Sequence, residues 1–413
     1  MDRRAHVVVV GAGIVGCAIA YELARRGARV QVVDRRDIGA GATQASAGVL
    51  APYIEAHDGH ALLELASRSL ELYDEFVSNV VEDSGATVQY VRSGTLEVAL
   101  DEAGLAHLAN VERMCSGRGV EAELLDAAAA REAEPHLAAA VRGGLRIGSH
   151  GFVGARDLTA ALRSAAIVHE VSFHTATAAT RVAADGEGVR VETAGESFVC
   201  DTAVLAAGSW SGRIEVEGAE PLPVRPVRGQ LLHLGWPAPA LGRVVWAPGC
   251  YVVPWSDGSV LVGATVEEVG FDERATVAGI QALIDATGKV MPAVSEASFV
   301  TARVGLRPAT PDRLPVIGRS TAIPGLVYAS GHFRYGVLLA PLTAALVADI
   351  VVDGGGPSEA PAPPEGDPPE ADPPEAAGAS EAAGPSRAAG AADAGSFLGA
   401  ALRATAPSRF GAC

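Results

Sequence analysis

The chain has 413 residues, 49% of them hydrophobic, and a formal net charge of −17. That length exceeds one ordinary core and predicts two domains plus accessory sequence, while the negative charge disfavours nucleic acid and anionic membrane surfaces as partners. Cys17, Cys115, Cys200, Cys250 and Cys413 are odd in number and scattered, with no CxxC pair; this argues against a disulfide framework or a zinc site and for a reducing cytoplasm.

The opening "MDRRAHVVVVGAGIVGCAIAYEL" has the basic start and apolar run of a leader, but its glycine spacing explains the run better. Hydrophobic patterning predicts a strand at 6–10, a helix over 14–26 stopped by Gly27, and a second strand at 29–33. Gly11, Gly13 and Gly16 form GxGxxG between that strand and helix, where a phosphate cradle requires it. Gly11 permits the tight turn, Gly13 the approach of a pyrophosphate, and Gly16 close packing of helix on strand. Ile14 and Val15 open the helix, whose N–H groups face the phosphates. Asp34 ends the second strand eighteen positions after Gly16, placing a carboxylate for two ribose hydroxyls, with Arg35 beside it.

The stretch "RRDIGAGATQASAGVLAP" (35–52) is small, polar and glycine-rich, which suits close approach to a long cofactor through Ala42, Thr43, Ala47, Gly48 and Val49. An amphipathic helix is predicted over 59–81, mixed strands and helix over 86–150, and a helix over 157–166. Residues 188–208 read as paired strands ending in a second glycine turn, "AVLAAGSWS", with Gly208 and Trp210. Ala179, near "ATRVAADG", is a candidate adenine contact. Residues 224–270 are strand-rich. A last strand at 325–330 leads into a third glycine turn, "ASGHFRYGVLLAP", and a helix after Gly336. Three separated glycine turns predict a cofactor threaded through the domain, which favours FAD over NAD. The third turn nominates His332, Phe333, Arg334, Tyr335, Gly336, Val337 and Leu338 as cofactor neighbours, with the helix start stabilising negative charge on the reduced ring.

No Cys–His, Ser–His–Asp or metal-ligand pattern appears. Arg307, in "VGLRPATPDRLPVIG", has no carboxylate within four positions; it is either a surface residue or a buried cation whose anion comes from elsewhere. Beyond residue 352 the composition turns to Pro, Ala, Gly and acid, including "DPPEADPPEA", and carries nine acidic and three basic residues. Such a segment is predicted to be a disordered linker, and "SFLGAALRATAPSRF" after it to dock on the body or form a short helix near 396–404.

The stretches "VVVVGAGIVGCAIAYELARRG", "GATQASAGVLAP", "GCYVVP", "SVLVGAT", "VGLRPATPDRLPVIG" and "GHFRYGVLLAP" resemble the D-amino acid oxidase superfamily of flavoproteins. Within it they are most similar to the glycine oxidases associated with thiamine biosynthesis. The resemblance implies an α/β fold: a discontinuous Rossmann-like FAD domain of the glutathione-reductase-2 type (1–85, 150–215, 305–352) and an α+β substrate domain with a large mixed sheet (86–149, 216–304). It implies that Arg307 pairs with a substrate carboxylate, that the Tyr251 hydroxyl faces the substrate, and that Arg334 lies near both flavin and substrate. Val49, Ala51 and Tyr251 would line the pocket. The implied reaction is oxidation of glycine, another small amine or a D-amino acid by hydride transfer to flavin N5, with oxygen as acceptor and hydrogen peroxide as product. A cytoplasmic homotetramer is implied as well. Residues 305–308 lack the cysteine that anchors flavin in sarcosine oxidases, so non-covalent FAD is expected. Alternatives are a sarcosine oxidase-like enzyme, a D-amino acid dehydrogenase using a quinone or carrier, and an FAD-bound scaffold whose acidic tail recruits a partner.

Overall fold

The structure, a computed structural model, describes residues 6–55, 60–237, 239–352, 399–400 and 402–411. The linker expected after residue 352, Gly59 and Cys413 lie outside the described residues.

His6–Val10 is a run of valines bounded by glycine, and it becomes the central strand of a six-stranded sheet. The strand order is Val316–Arg319, Leu326–Ser330, Thr202–Leu205, His6–Val10, Arg29–Val33, Ser172–His174. All neighbours pair parallel except the first two. Both faces are covered, so these strands read as continuous apolar runs instead of alternating. On one face the helices Ile14–Arg25, His60–Ser84, Ala155–Val168 and Ala340–Val352 share a core that includes Ile19, Leu23, Tyr73, Leu162 and Val347. On the other, Val182, Val191 and Phe198 of an antiparallel four-stranded sheet pack against Val8, Val10 and Leu205. The chain order reverses beside His6–Val10, which opens a crevice at the carboxyl ends of the strands where a dinucleotide binds.

An eight-stranded sheet forms the second large layer, in the order Ser298–Ala309, Arg225–Gly235, Ser259–Gly263, Cys250–Pro254, Val244–Ala247, Thr95–Ala99, Gly143–Ile147, Ala122–Asp126. Val244–Ala247 and Thr95–Ala99 pair parallel, and the other pairs are antiparallel, so the sheet is mixed. Helix Val277–Val290, capped by the Thr276 hydroxyl, packs on its outer face through Leu283 and Val290.

Three expectations need correction. Residues 188–208 are not one set of paired strands. Gly188–Thr193 and Ser197–Cys200 pair with each other, but Thr202–Leu205 runs into the parallel sheet beside His6–Val10. The long amphipathic helix runs to Ser84, because Val77 and Val80 continue its buried stripe. The last helix begins at Ala340, after a turn at 336–339. The C-terminal segment does dock. Arg409 reaches the Asp312 carboxylate at 2.7 Å and the Leu314 carbonyl at 2.9 Å, and Phe410 packs on the edge of the core shared by the six- and four-stranded sheets.

Candidate active site

A cleft of about 640 Å³ runs from the ends of the parallel strands to the face of the eight-stranded sheet. Its nucleotide end is built on Gly11, whose φ of 115° is open to glycine, and where an added Cβ would lie 2.4 Å from the Ala206 carbonyl oxygen. Gly13 caps helix Ile14–Arg25 without a side chain, leaving its first turn to a ligand. The Thr43 hydroxyl accepts the Ile14 N–H at 3.1 Å and so joins the cofactor loop to the helix start. Asp34 accepts N–H bonds from Ala12 at 2.6 Å and Arg36 at 2.7 Å, which fix its carboxylate at the strand end. Burial pushes its pKa above the ordinary value, against these bonds. Five arginines and one carboxylate line the cleft, so the cleft is electropositive in an acidic protein and suits a pyrophosphate.

The turn at 331–338 closes the opposite wall. Helix His60–Ser84 holds it from behind: the buried Ser69 and Tyr73 hydroxyls donate to the Leu338 and Val337 carbonyls, each at 2.6 Å. The N–H groups of Gly336, Val337 and Leu338 make no hydrogen bond to other described residues, and Gly336 and Val337 line the cleft. His332 Nε2 meets the Thr343 hydroxyl at 3.0 Å, and burial lowers its pKa to about 4, which keeps the imidazole neutral. The glycine turns, the carboxylate at the strand end and these N–H groups fit a flavin dinucleotide.

At the sheet end stand Arg307, Tyr251, Trp246 and Arg334. Arg307 is half-buried on strand Ser298–Ala309, in register with Val227. Its guanidinium lies flat over Gly229, where an added Cβ would be 2.4 Å from both Nη atoms, and Nη1 donates to the Thr265 carbonyl at 2.8 Å. The Tyr251 ring lies over Gly263 in the same manner, with an added Cβ 2.4 Å from its hydroxyl. Trp246 stacks on that ring, centroids 4.9 Å apart. Glycine at these two strand positions is what lets two bulky polar side chains lie down on a sheet face instead of filling the cleft. Arg334 is exposed at the rim, 5.1 Å over the Phe333 ring.

The nominated residues converge. Gly11, Gly13, Ile14, Val15, Asp34, Arg35, Ala42, Thr43, Ala47, Gly48, Val49, Ala179, Gly208, Trp210, His332, Phe333, Arg334, Gly336 and Val337 all contribute to the lining, as do Tyr251 and Arg307. Four nominated positions do not line it. Gly16 is a packing glycine, its added Cβ 1.9 Å from the Gly11 carbonyl oxygen. Tyr335 and Leu338 bury their side chains in the helical core at 5% and 1% exposure, which leaves only their backbone for a cofactor. Ala51 is wholly buried beneath the loop. Sequence reasoning missed Gly229, Gly263, Trp246 and Val266, for which no local motif gives a signal. It also missed Arg36, which forms a two-pronged ion pair with Glu273 at 2.9 and 2.6 Å and lies 4.5 Å over Trp210.

Among known proteins, the family described as FAD dependent oxidoreductase matches residues 6–350. The glycine oxidase of Geobacillus kaustophilus is 35% identical over 353 residues, which cover 85% of this chain and 94% of that protein. The bifunctional protein ThiO/ThiG of a Nostoc species is 36% identical over 84% of this chain, and the match spans 52% of that longer protein. The crystal structure of the Geobacillus glycine oxidase matches with a TM-score of 0.81 at 34% identity, covering 85% of this chain and 95% of that one. That of iminodiacetate oxidase from Chelativorans sp. BNC1 matches at 0.78 and 28% identity, covering 85% and 96%.

Proposed function

The chain belongs to the FAD dependent oxidoreductase family, and from that premise we propose that it oxidises glycine or another small amino acid at the Cα–N bond. The observation that carries this reading is the Arg307 guanidinium, laid over Gly229 beside Tyr251 in the cleft that also holds the dinucleotide cradle. A guanidinium offers parallel donors that match a carboxylate.

Bound FAD supplies the two-electron acceptor for the substrate's Cα–H bond. Arg307 holds the substrate carboxylate, and Tyr251 adds a hydroxyl on the same side, so the substrate is fixed by its acid group with its amine and Cα toward the cofactor. The N–H groups at 336–338 stabilise negative charge gained at that end of the cleft. No general base is required of the protein if the substrate binds as the free amine. The imine released is hydrolysed, and with oxygen as acceptor the balance is amino acid + O2 + H2O giving 2-oxo acid, ammonia and hydrogen peroxide. Non-covalent binding is supported by the cleft's cysteine, Cys250, which is buried and bonded to Thr287. A link to thiamine biosynthesis is part of the proposal, and the ThiO/ThiG name of relatives supports it. We further propose that 1–85, 150–215 and 305–352 act as the cofactor unit and 86–149 with 216–304 as the substrate unit.

The test is peroxide production by the purified yellow protein in air with glycine, sarcosine, D-alanine, D-proline and L-alanine. Turnover with a member of this set, and a sharply raised KM in Arg307→Ala, is the expected result. Flavin bleaching under nitrogen without peroxide in air would assign another electron acceptor. Neither peroxide nor bleaching would refute the amino-acid assignment.

A further inference from the structure

We propose that a partly buried polar network on the far side of the sheet, made of Arg228, Gln230 and Glu267 and reaching Arg307 through Thr265, positions the Arg307 guanidinium and so sets the protein's affinity for carboxylates. The inference rests on Arg307 being the substrate's carboxylate partner.

The geometry begins with the strand Arg225–Gly235. Arg307 comes from the neighbouring strand, crosses it at Gly229 and meets the Thr265 carbonyl on the other side. Thr265 lies beyond the end of strand Ser259–Gly263, in the segment 264–276, whose backbone pairing to Arg225–Gly235 includes an isolated bridge between Arg228 and Glu267 that does not use the Thr265 carbonyl. Gln230 clamps it instead: the Thr265 N–H donates to the Gln230 carbonyl at 3.2 Å, and the Gln230 N–H donates to the Thr265 hydroxyl at 2.9 Å.

Behind that clamp stands Glu267. Its Oε1 accepts from the Thr265 hydroxyl at 2.5 Å and from Gln230 Nε2 at 2.7 Å, and its Oε2 accepts from Arg228 Nη2 at 2.5 Å. Gln230 is fully buried and Arg228 is 4% exposed. Gln230 also bonds the Thr276 hydroxyl and N–H, at 2.9 and 2.8 Å, and Arg228 reaches Asp272 at 3.0 Å. Burial pushes the Glu267 pKa up, but the hydrogen bonds from Arg228, Thr265 and Gln230 outweigh it and hold the carboxyl below its ordinary range.

Side chains alternate across a strand, so Arg228 and Gln230 face away from the cleft while Gly229 faces into it. The network therefore touches no substrate and acts only through the Thr265 carbonyl. The Arg228–Glu267 pair, 5% and 24% exposed at its side chains, is a poor source of net stability compared with apolar packing. Its worth here is geometric, as the support that holds a substrate-binding side chain in one pose.

The experiment is a titration of the flavin-loaded protein with acetate, read as perturbation of the flavin absorption spectrum, in a double-mutant cycle. Glu267→Ala and Thr265→Val are each made in the wild-type and Arg307→Ala backgrounds; Thr265→Val removes only the hydroxyl and carries the test if Glu267→Ala does not fold. Each is expected to weaken acetate binding about tenfold with Arg307 present, the effect of losing about one charge-assisted hydrogen bond, and to change it less than twofold once Arg307 is gone. Equal losses in both backgrounds, or no loss in either, overturn the inference while leaving Arg307 in its role. Unchanged acetate affinity in Arg307→Ala alone overturns the substrate assignment itself and the inference with it.

Discussion

Gly229→Ala is the smallest change that tests the substrate end. The added Cβ would lie 2.4 Å from both Arg307 Nη atoms and 2.5 Å from Cζ. Ordinary contact between such atoms needs about 3.5 Å, so the guanidinium must rise by about 1 Å. The strand cannot yield in its place, because Gly229 is paired on one side with Gly305, whose own added Cβ would be 2.9 Å from Ala45 Cβ. Lifting the guanidinium breaks its 2.8 Å bond to the Thr265 carbonyl and moves its donors out of line with a bound carboxylate. Loss of a charge-assisted bond of this kind costs about 1.5–3 kcal/mol, which raises KM by about 10- to 150-fold. Steady-state oxidation kinetics on the yellow protein, with flavin content measured alongside, provide the assay. The expected pattern is a large rise in KM with flavin retained. A KM within twofold of wild type would refute the claim that Arg307 binds substrate from its bed on Gly229.

Other perturbations separate the parts. Gly16→Ala would place a Cβ 1.9 Å from the Gly11 carbonyl oxygen, and the expected product is a colourless protein; a spectrum with normal flavin content contradicts the cradle. Burial raises the Glu97 pKa to about 7 from an ordinary 4.5. Because the folded state holds that proton more tightly, the group's unfavourable contribution is absent below about pH 4.5, grows through pH 7 and then levels at about 3 kcal/mol. Glu97→Gln is therefore expected to raise Tm at pH 8 and to change it little at pH 4.5, as measured by thermal denaturation; an equal rise at both would contradict the assignment. Arg409→Ala removes the clamp on Asp312 and Leu314 and is expected to cost about 1–3 kcal/mol in denaturant unfolding; an unchanged midpoint would mean that the docked C-terminal segment adds nothing to stability.

The nucleotide end is legible in the sequence because its requirements are local. A tight turn, a helix start and a carboxylate at the next strand end are set by a few adjacent residues, and Gly11, Gly13, Gly16 and Asp34 carry them in order. Periodicity likewise places helices such as Ile14–Arg25 and Ala155–Val168 to within a few residues, but passes over Val277–Val290. The identity of the Arg307 anion cannot be read from its neighbours and comes only through resemblance. Local pattern also misassigns Thr202–Leu205, whose partner strand lies almost two hundred residues earlier. It does not tell which side chains of the 331–338 turn face the cleft, and those of Tyr335 and Leu338 are buried in the core.

What the chain by itself determined is the cofactor's seat, since backbone conformation at glycine and the dipole of a helix start are properties of short segments. What only the tertiary structure decided is the substrate end. Arg307, Gly229 and Thr265 come from three strands or loops and meet through register, and pairing register is fixed by burial across the whole sheet, which no single segment encodes.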